Sequence, residues 1–257
     1  MRHFARPAWP WTLLSLVLLL GLWTLVTMEG LVSPLFVPTP LGVWRGFLNL
    51  ADSGYNGVSL GWDIAISLIR VFVGFGVGAI AGILLGLAMG SWGAVDAVAE
   101  PFIEFLRPLP QLGYLVLLII WFGIGETSKI MLLFLTALPV TAVAARDGVK
   151  GASLQRLQAA QMLGASARQI FWHVTLPEAL PEIFIGMRLA IGLVYATLIA
   201  AEILAGSDGI GWMVFNAGRF LRSDFVFVGV IIIGLMGVAL DRVLVLVETG
   251  LVHWAGK

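Results

Sequence analysis

Hydrophobic positions in this chain fall in long unbroken runs, with neither the strict alternation of a half-buried strand nor the one-sided stripe of a soluble helix. Crossing ~30 Å of hydrocarbon takes about 20 residues of helix. Six stretches meet that length, at 11–28, 62–90, 98–122, 128–148, 177–205 and 226–250. They predict an all-α membrane protein, a single transmembrane domain over residues 1–257 with six spans. No even series of short alternating segments points to a β-barrel. Gly74, Gly76, Gly78, Gly82 and Gly86 stud the second stretch. Small residues four apart let helix backbones approach closely, which predicts a central place in the bundle for this span. In the third stretch Pro108 and Pro110 remove backbone donors, which predicts a break or kink there.

Polar positions cluster between the runs. "SPLFVPTP", from Ser33 to Pro40, is too rich in proline for helix and reads as an extended strap, followed by a short helix over 41–50. The longest polar insert, "LQRLQAAQMLGASARQIFWHVTLP", runs from Leu154 to Pro177. Ser153 is placed to cap a helix that Gly164 ends in a left-handed turn. Ser166 and Gln169 have the spacing of a capping box that starts a second helix, and Pro177 is expected to break that helix at the base of the fifth span. On pattern alone, two short helices at a Gly-Ala-Ser corner fit an ordinary connector as well as a plug for a groove on another protein.

Composition confirms the solvent. Hydrophobic residues make up 60% and charged residues 12%, against about 25% charged in soluble domains. Membrane lipid is thus a partner along the spans, and Trp11, Trp62, Trp121 and Trp212 sit near span ends as interfacial anchors. Fifteen Lys and Arg balance fifteen Asp and Glu, which argues for no nucleic acid. The absence of cysteine excludes disulfides and thiolate chemistry. The run after Arg2 and Arg6 exceeds the about 7–15 apolar residues of a signal peptide and reads as a retained first span. Placing both termini in the cytoplasm puts Arg2, Arg6, Lys150, Arg156, Arg168, Arg242 and Lys257 inside, and Arg45, Lys129, Arg219 and Arg222 outside. That excess is the expected sign, and it makes the 153–177 insert cytoplasmic.

Ionisable residues at bilayer depth are costly and default to functional candidates. They are Arg70, Glu104, Arg107, Arg188 and Glu202. Glu104 and Arg107 are spaced to meet on one helix face. They read either as a self-neutralising structural pair or, for Arg107, as a contact for an anionic solute. Arg188 has Glu182 and Glu202 within a few turns, and Glu202 has the alternative of bonding across a dimer. Glu126 with Lys129 and the turn "GSDGIG" read as solvated connectors, with a docking point for another protein as the alternative for the first and part of a gate for the second. No catalytic constellation or metal set emerges: His3, His173 and His253 all fall outside the spans, against an intramembrane enzyme. An ion-coupled secondary transporter calls for internal repeats and paired broken helices, and only the third span shows a break.

The insert resembles the EAA loop of permease subunits of ATP-binding-cassette importers. Ala159, Ala160, Gly164, Val174, Leu176 and Pro177 occupy that motif's places, with Ala165 and Ser166 inside it and Gln158 where the family carries glutamate. "SPLFVPTP", "LRPLPQLGYLVLLIIWFGIGETSKI", "LPEALPEIFIGMRLAIGL" and "LIAAEILAGSDGIGWMV" extend the likeness to the nitrate/sulfonate/taurine branch, most of all to taurine permeases. The resemblance implies the type I importer permease fold with a cytoplasmic coupling-helix loop at 153–177. It implies a homodimer in the bacterial inner membrane, two cytoplasmic ATPase subunits docked on the loops, and a periplasmic solute-binding protein. The substrate implied is taurine or a related alkanesulfonate, with nitrate, bicarbonate or another small solute as alternatives. No "GxxxxGK[ST]" occurs, so this chain is expected to bind no cofactor, with ATP and Mg held by the partner ATPase.

Overall fold

The computed structural model describes residues 9–252; Arg2, His3, Arg6, His253 and Lys257, used above for orientation and chemistry, lie outside them. The described residues are almost wholly helical: α1 Trp9–Met28, α2 Pro40–Ser53, α3 Leu60–Ser91, α4 Gly93–Leu106, α5 Gln111–Phe122, α6 Glu126–Lys150, α7 Leu154–Met162, α8 Ala167–Ile170, α9 Leu176–Ala205, α10 Ile210–Arg219 and α11 Ser223–Leu251. Four helical stretches are long and apolar enough to cross a membrane: α3, α6, the run Ala167–Ala205, and α11. A fifth is added if α4 and α5 count as one broken span. The apolar part of α1, Leu13–Met28, is shorter.

Two compact units divide the chain. In the unit formed by the chain up to Asp63 with Met213–Ile232, the strap after α1 is tied by Trp23, whose indole N–H donates to the Pro38 carbonyl at 3.0 Å. Thr39 caps α2 by accepting from the Gly42 N–H, with Pro40 at the first helical position, where its missing donor costs nothing. Tyr55 packs edge-on to Phe225 and donates to Asn216 Oδ1 at 2.8 Å, while the Arg222 guanidinium lies over the Phe225 ring.

The unit formed by Ile64–Trp212 and the chain from Ile233 onward is built on α3, α6 and α9. Gly74, Gly78, Gly82, Gly86 and Gly90 form a ridge, one residue per turn, against α6. A Cβ at Gly78 would lie 2.7 Å from the Phe134 carbonyl, and one at Gly90 would lie 2.5 Å from Val149 Cβ. Gly76 departs from the expected stripe: it faces open space, two residues out of phase with that ridge. Gly148 repeats the close approach against Ala179 and Gly186 against Ala144, so α6 is clasped by small residues on both neighbours. The core above these contacts is aliphatic, with Val71, Leu133, Ala137, Ala190, Val194 and Leu198 buried together.

One expectation is met and one is corrected. The third span, placed at 98–122, breaks where Pro108 and Pro110 predicted: α4 and α5 are bent by 101° at Arg107–Pro110. Pro108 and Pro110 both lack the donors that would carry the ladder across, and α5 restarts with Pro110 as its N-cap. At the other site the expected break before Pro177 does not occur. Residues Phe171–Thr175 form a π-helical turn in which the Leu176 N–H bonds the Phe171 carbonyl five residues back. Pro177 then occupies the first turn of α9, and the helix runs unbroken from Ala167 to Ala205. A wider i→i+5 turn gives the pyrrolidine ring room that an α-turn denies it.

Candidate functional site

The insert between α6 and α9 is built by its caps. The Ser153 side chain makes no capping bond; instead its N–H donates to Glu178 Oε2 at 2.7 Å, and Arg156 reaches Glu178 Oε1 at 2.6 Å. Glu178, in the first turn of α9, thus anchors the start of α7. At the far end Gly164 is left-handed, φ +80°, and two bonds close around it: Gly164 N–H to the Gln161 carbonyl and Ala165 N–H to the Ala160 carbonyl. This is the Schellman arrangement, which only glycine adopts without strain. Ser166 and Gln169 then form a reciprocal capping box that starts α8. Gln158, Ala159, Gly164 and Ser166 are exposed, Ala160, Ala165, Val174, Leu176 and Pro177 half-buried. At the corner Met162 and Leu163 are 82% and 88% exposed, an apolar tip left uncovered among the described residues.

Two charge networks lie at opposite ends of α6. Next to the insert, Arg146 holds Asp96 and Glu100, and Lys150 reaches Asp96 at 2.6 Å, tying the start of α4 to the end of α6. At the other end Arg70 is completely buried and bonds three carboxylates. Its Nε and Nη2 straddle Glu126 at 2.6 Å each, Nη1 donates to Glu202 Oε1 at 2.7 Å, and Nη2 also reaches Asp208 Oδ1 at 2.6 Å. Lys129 adds a second cation against Glu126. The equally buried Glu202 accepts further from the Ser67 hydroxyl and the Gly211 N–H, and Ser67 accepts from the Ile210 N–H. Gly209 passes this cluster with φ +101°, where a Cβ would fall 2.7 Å from Arg70 Nη1. Glu126 and the Gly206–Gly211 turn, expected as solvated connectors, are therefore bolted onto α3 and α9.

Of the sequence candidates, Arg70 and Glu202 come together, which also corrects the idea of Glu202 bonding across a dimer or to Arg188. Arg188 pairs instead with Asp241 of α11, Nε to Oδ1 at 3.1 Å. Glu104 and Arg107 do not pair: both side chains are exposed, although Arg107, the C-cap of α4, keeps helical φ and ψ and its N–H still bonds the Ile103 carbonyl. Arg107 and Arg188 share one groove of about 540 Å³, with Gln111, Tyr114 and Thr136. Asp241 and Asp208 were missed as partners because nothing local marks them; both lie more than 50 residues from their arginines. Among the described residues no cluster of three or more His, Asp or Glu is placed to hold a metal.

Residues 78–253 match the family model of the binding-protein-dependent transport system inner membrane component. The chain belongs to this family. It is thus a multi-pass membrane permease of ATP-binding-cassette importers, a transport subunit of a family that is not catalytic. The permease is 41% identical to the taurine transport system permease protein TauC of Escherichia coli over 99% of this chain and 96% of that protein. It is 32% identical to the putative aliphatic sulfonates transport permease protein SsuC of Bacillus subtilis, over 97% of this chain and 89% of that one. The nitrate import permease protein NrtB of Synechocystis is 31% identical over 77% of this chain and 72% of its own. In fold the permease is similar to a chain of an amino acid ABC transporter, with a TM-score of 0.58 at 18% identity over 82% of this chain and 96% of that one. It is also similar to a chain of the inward-facing MetNI methionine transporter, with a TM-score of 0.53 at 20% identity over 80% and 96%. The fold is that of the type I importer permeases.

Proposed function

We propose that this permease provides the membrane pathway for ATP-driven uptake of taurine or a related small alkanesulfonate, handed over by a periplasmic binding protein. The observation that carries this is its 41% identity, over nearly the whole chain, to a taurine permease. In this reading the active unit is a homodimer in the inner membrane, each chain crossing it six times with both termini in the cytoplasm. Each 153–177 insert docks in a groove of one of two ATPase subunits, which bind and hydrolyse ATP with Mg; this chain binds no cofactor of its own. The apolar tip at Met162 and Leu163 supports a docking role, since exposed apolar side chains at a rigid corner mark contact surfaces. Gln158 stands exposed on that face, so shape rather than charge defines the contact. ATPase closure shifts the population between inward- and outward-facing states through the helix that carries the loop. A second reading, nitrate as substrate, is supported by the likeness to NrtB, with lower identity and less of the chain. Reconstitution of the permease with its ATPase and binding protein tests the proposal. ATP-dependent uptake of radiolabelled taurine, outcompeted by ethanesulfonate and indifferent to nitrate, is expected; uptake of nitrate alone overturns it.

A further inference from the structure

The break between α4 and α5 does more than bend a span. It leaves Arg107, the last residue of α4 with helical φ and ψ, on the wall of the groove that also receives Arg188. The other walls, Thr136 and Pro139 of α6 and Leu189 and Gly192 of α9, come from the middle of those helices, far from either end. Arg107 has no acceptor among the described residues. Arg188 spends only its Nε on Asp241, leaving the two terminal nitrogens of its guanidinium open. With one carboxylate against two guanidiniums, the groove carries a net charge of one cation. An unpaired guanidinium against acyl chains is costly, so this face requires water or a counter-ion. The guanidinium fork matches the spaced oxygens of an oxyanion in two parallel bonds.

We infer that the groove at the α4–α5 break is a binding site for a small oxyanion, the sulfonate head of the transported solute, held between Arg107 and Arg188. For a zwitterionic solute, Asp241, bonded to Arg188 Nε, is the carboxylate that answers the ammonium. The choice of sulfonate rests on the transport reading above; the positive site does not. A lipid phosphate is the other source of such an anion, but headgroups lie at the ends of spans and the groove lies at their middle.

The absence of cysteine supplies the test. Leu189→Cys, at an exposed position on the groove wall, is reacted in phosphatidylcholine nanodiscs with methanethiosulfonate reagents, one bearing an ethylsulfonate and one an ethyltrimethylammonium. Relative to a free thiol, the anionic reagent is expected to be favoured roughly tenfold, the effect of one nearby charge in a partly shielded site. Arg107→Gln, which removes no partner from the fold, should abolish that advantage, and Asp241→Asn should enlarge it. Ethanesulfonate should slow the reaction at ionic strengths where sodium chloride does not. An advantage that survives Arg107→Gln, or an absence of protection by ethanesulfonate, overturns the site. If phosphatidylglycerol in the disc erases the advantage and the protection, the anion is a headgroup and the solute assignment falls. Taurine uptake by the assembled importer is measured in parallel. Uptake absent from the wild type while the charge preference persists overturns the transport reading and leaves the site standing.

Discussion

Replacing Arg70 with methionine keeps most of the side chain's length and removes its charge. Three carboxylates lose their common cation, but they do not lose it equally. Glu126 and Asp208 are 46% and 26% exposed and recover hydration, so their share is at most about 1 kcal/mol each. Glu202 is fully buried and keeps only the Ser67 hydroxyl and the Gly211 N–H as donors. At the 2.7 Å separation of Arg70 and Glu202, the pair is worth at most about 6 kcal/mol with an effective dielectric near 20. Stranding one partner of a buried pair typically costs about 3–5 kcal/mol. A loss of about 3–5 kcal/mol is therefore expected for Arg70→Met, measured by reversible SDS unfolding in mixed micelles. The double variant Arg70→Met/Glu202→Leu removes the stranded charge together with its cation and should recover most of that loss. Limited proteolysis should find the Gly206–Gly211 turn newly accessible in the single variant, since Asp208 no longer has its anchor. A single variant within about 1 kcal/mol of wild type, or a double variant no better than the single, refutes the account of Arg70 as the bolt of this end of the bundle.

Three further outcomes follow from the geometry. Gly164→Trp places a side chain in a left-handed position, at about 1–2 kcal/mol of local strain, but meets open space. The bundle should unfold as before while ATP hydrolysis ceases to drive uptake in proteoliposomes; unchanged coupling would sink the docking role. Gly82→Leu drives a side chain into Leu138 and Thr141 of α6, whereas Gly76→Leu points into open space. The first should cost about 1–3 kcal/mol or more and the second almost nothing, and equal melting of the two would contradict the ridge. Burial pushes the Tyr55 phenol above its ordinary value of 10.0, and the Arg222 charge draws it partly back. The phenol's contribution to stability is therefore present at neutral pH and is lost as pH rises through its folded value. Ultraviolet titration of Arg222→Gln should show Tyr55 ionising at higher pH than in wild type, and a downward move would contradict that assignment.

Local rules read far into this chain. The Gly164 turn and the Ser166–Gln169 box are encoded by residue type at fixed spacing, and the long helices by unbroken apolar runs. What the sequence could not express was partnership at a distance. Arg70 and Glu202 are 132 residues apart, and no pattern along the chain says that the turn carrying Asp208 folds back over both. The Glu104–Arg107 spacing misled differently: helical φ and ψ run through both, yet their exposed side chains do not pair, and Arg107 lines a groove with Arg188 instead. Pro177 misled in the opposite direction, since a single wider turn absorbs a residue that an α-turn rejects. In the glycine-studded span the four-residue period carried the information, and Gly76, off that period, carried none.

The π-helical turn has a mechanical corollary. Ala167–Ala205 is one continuous helix of 39 residues, roughly 58 Å if straight at 1.5 Å per residue. The second short helix of the insert therefore shares its backbone with Arg188 and Glu202. The π-turn and Pro181 are the points at which such a helix bends, so a load on the corner beside Gly164 meets them before it reaches Arg188.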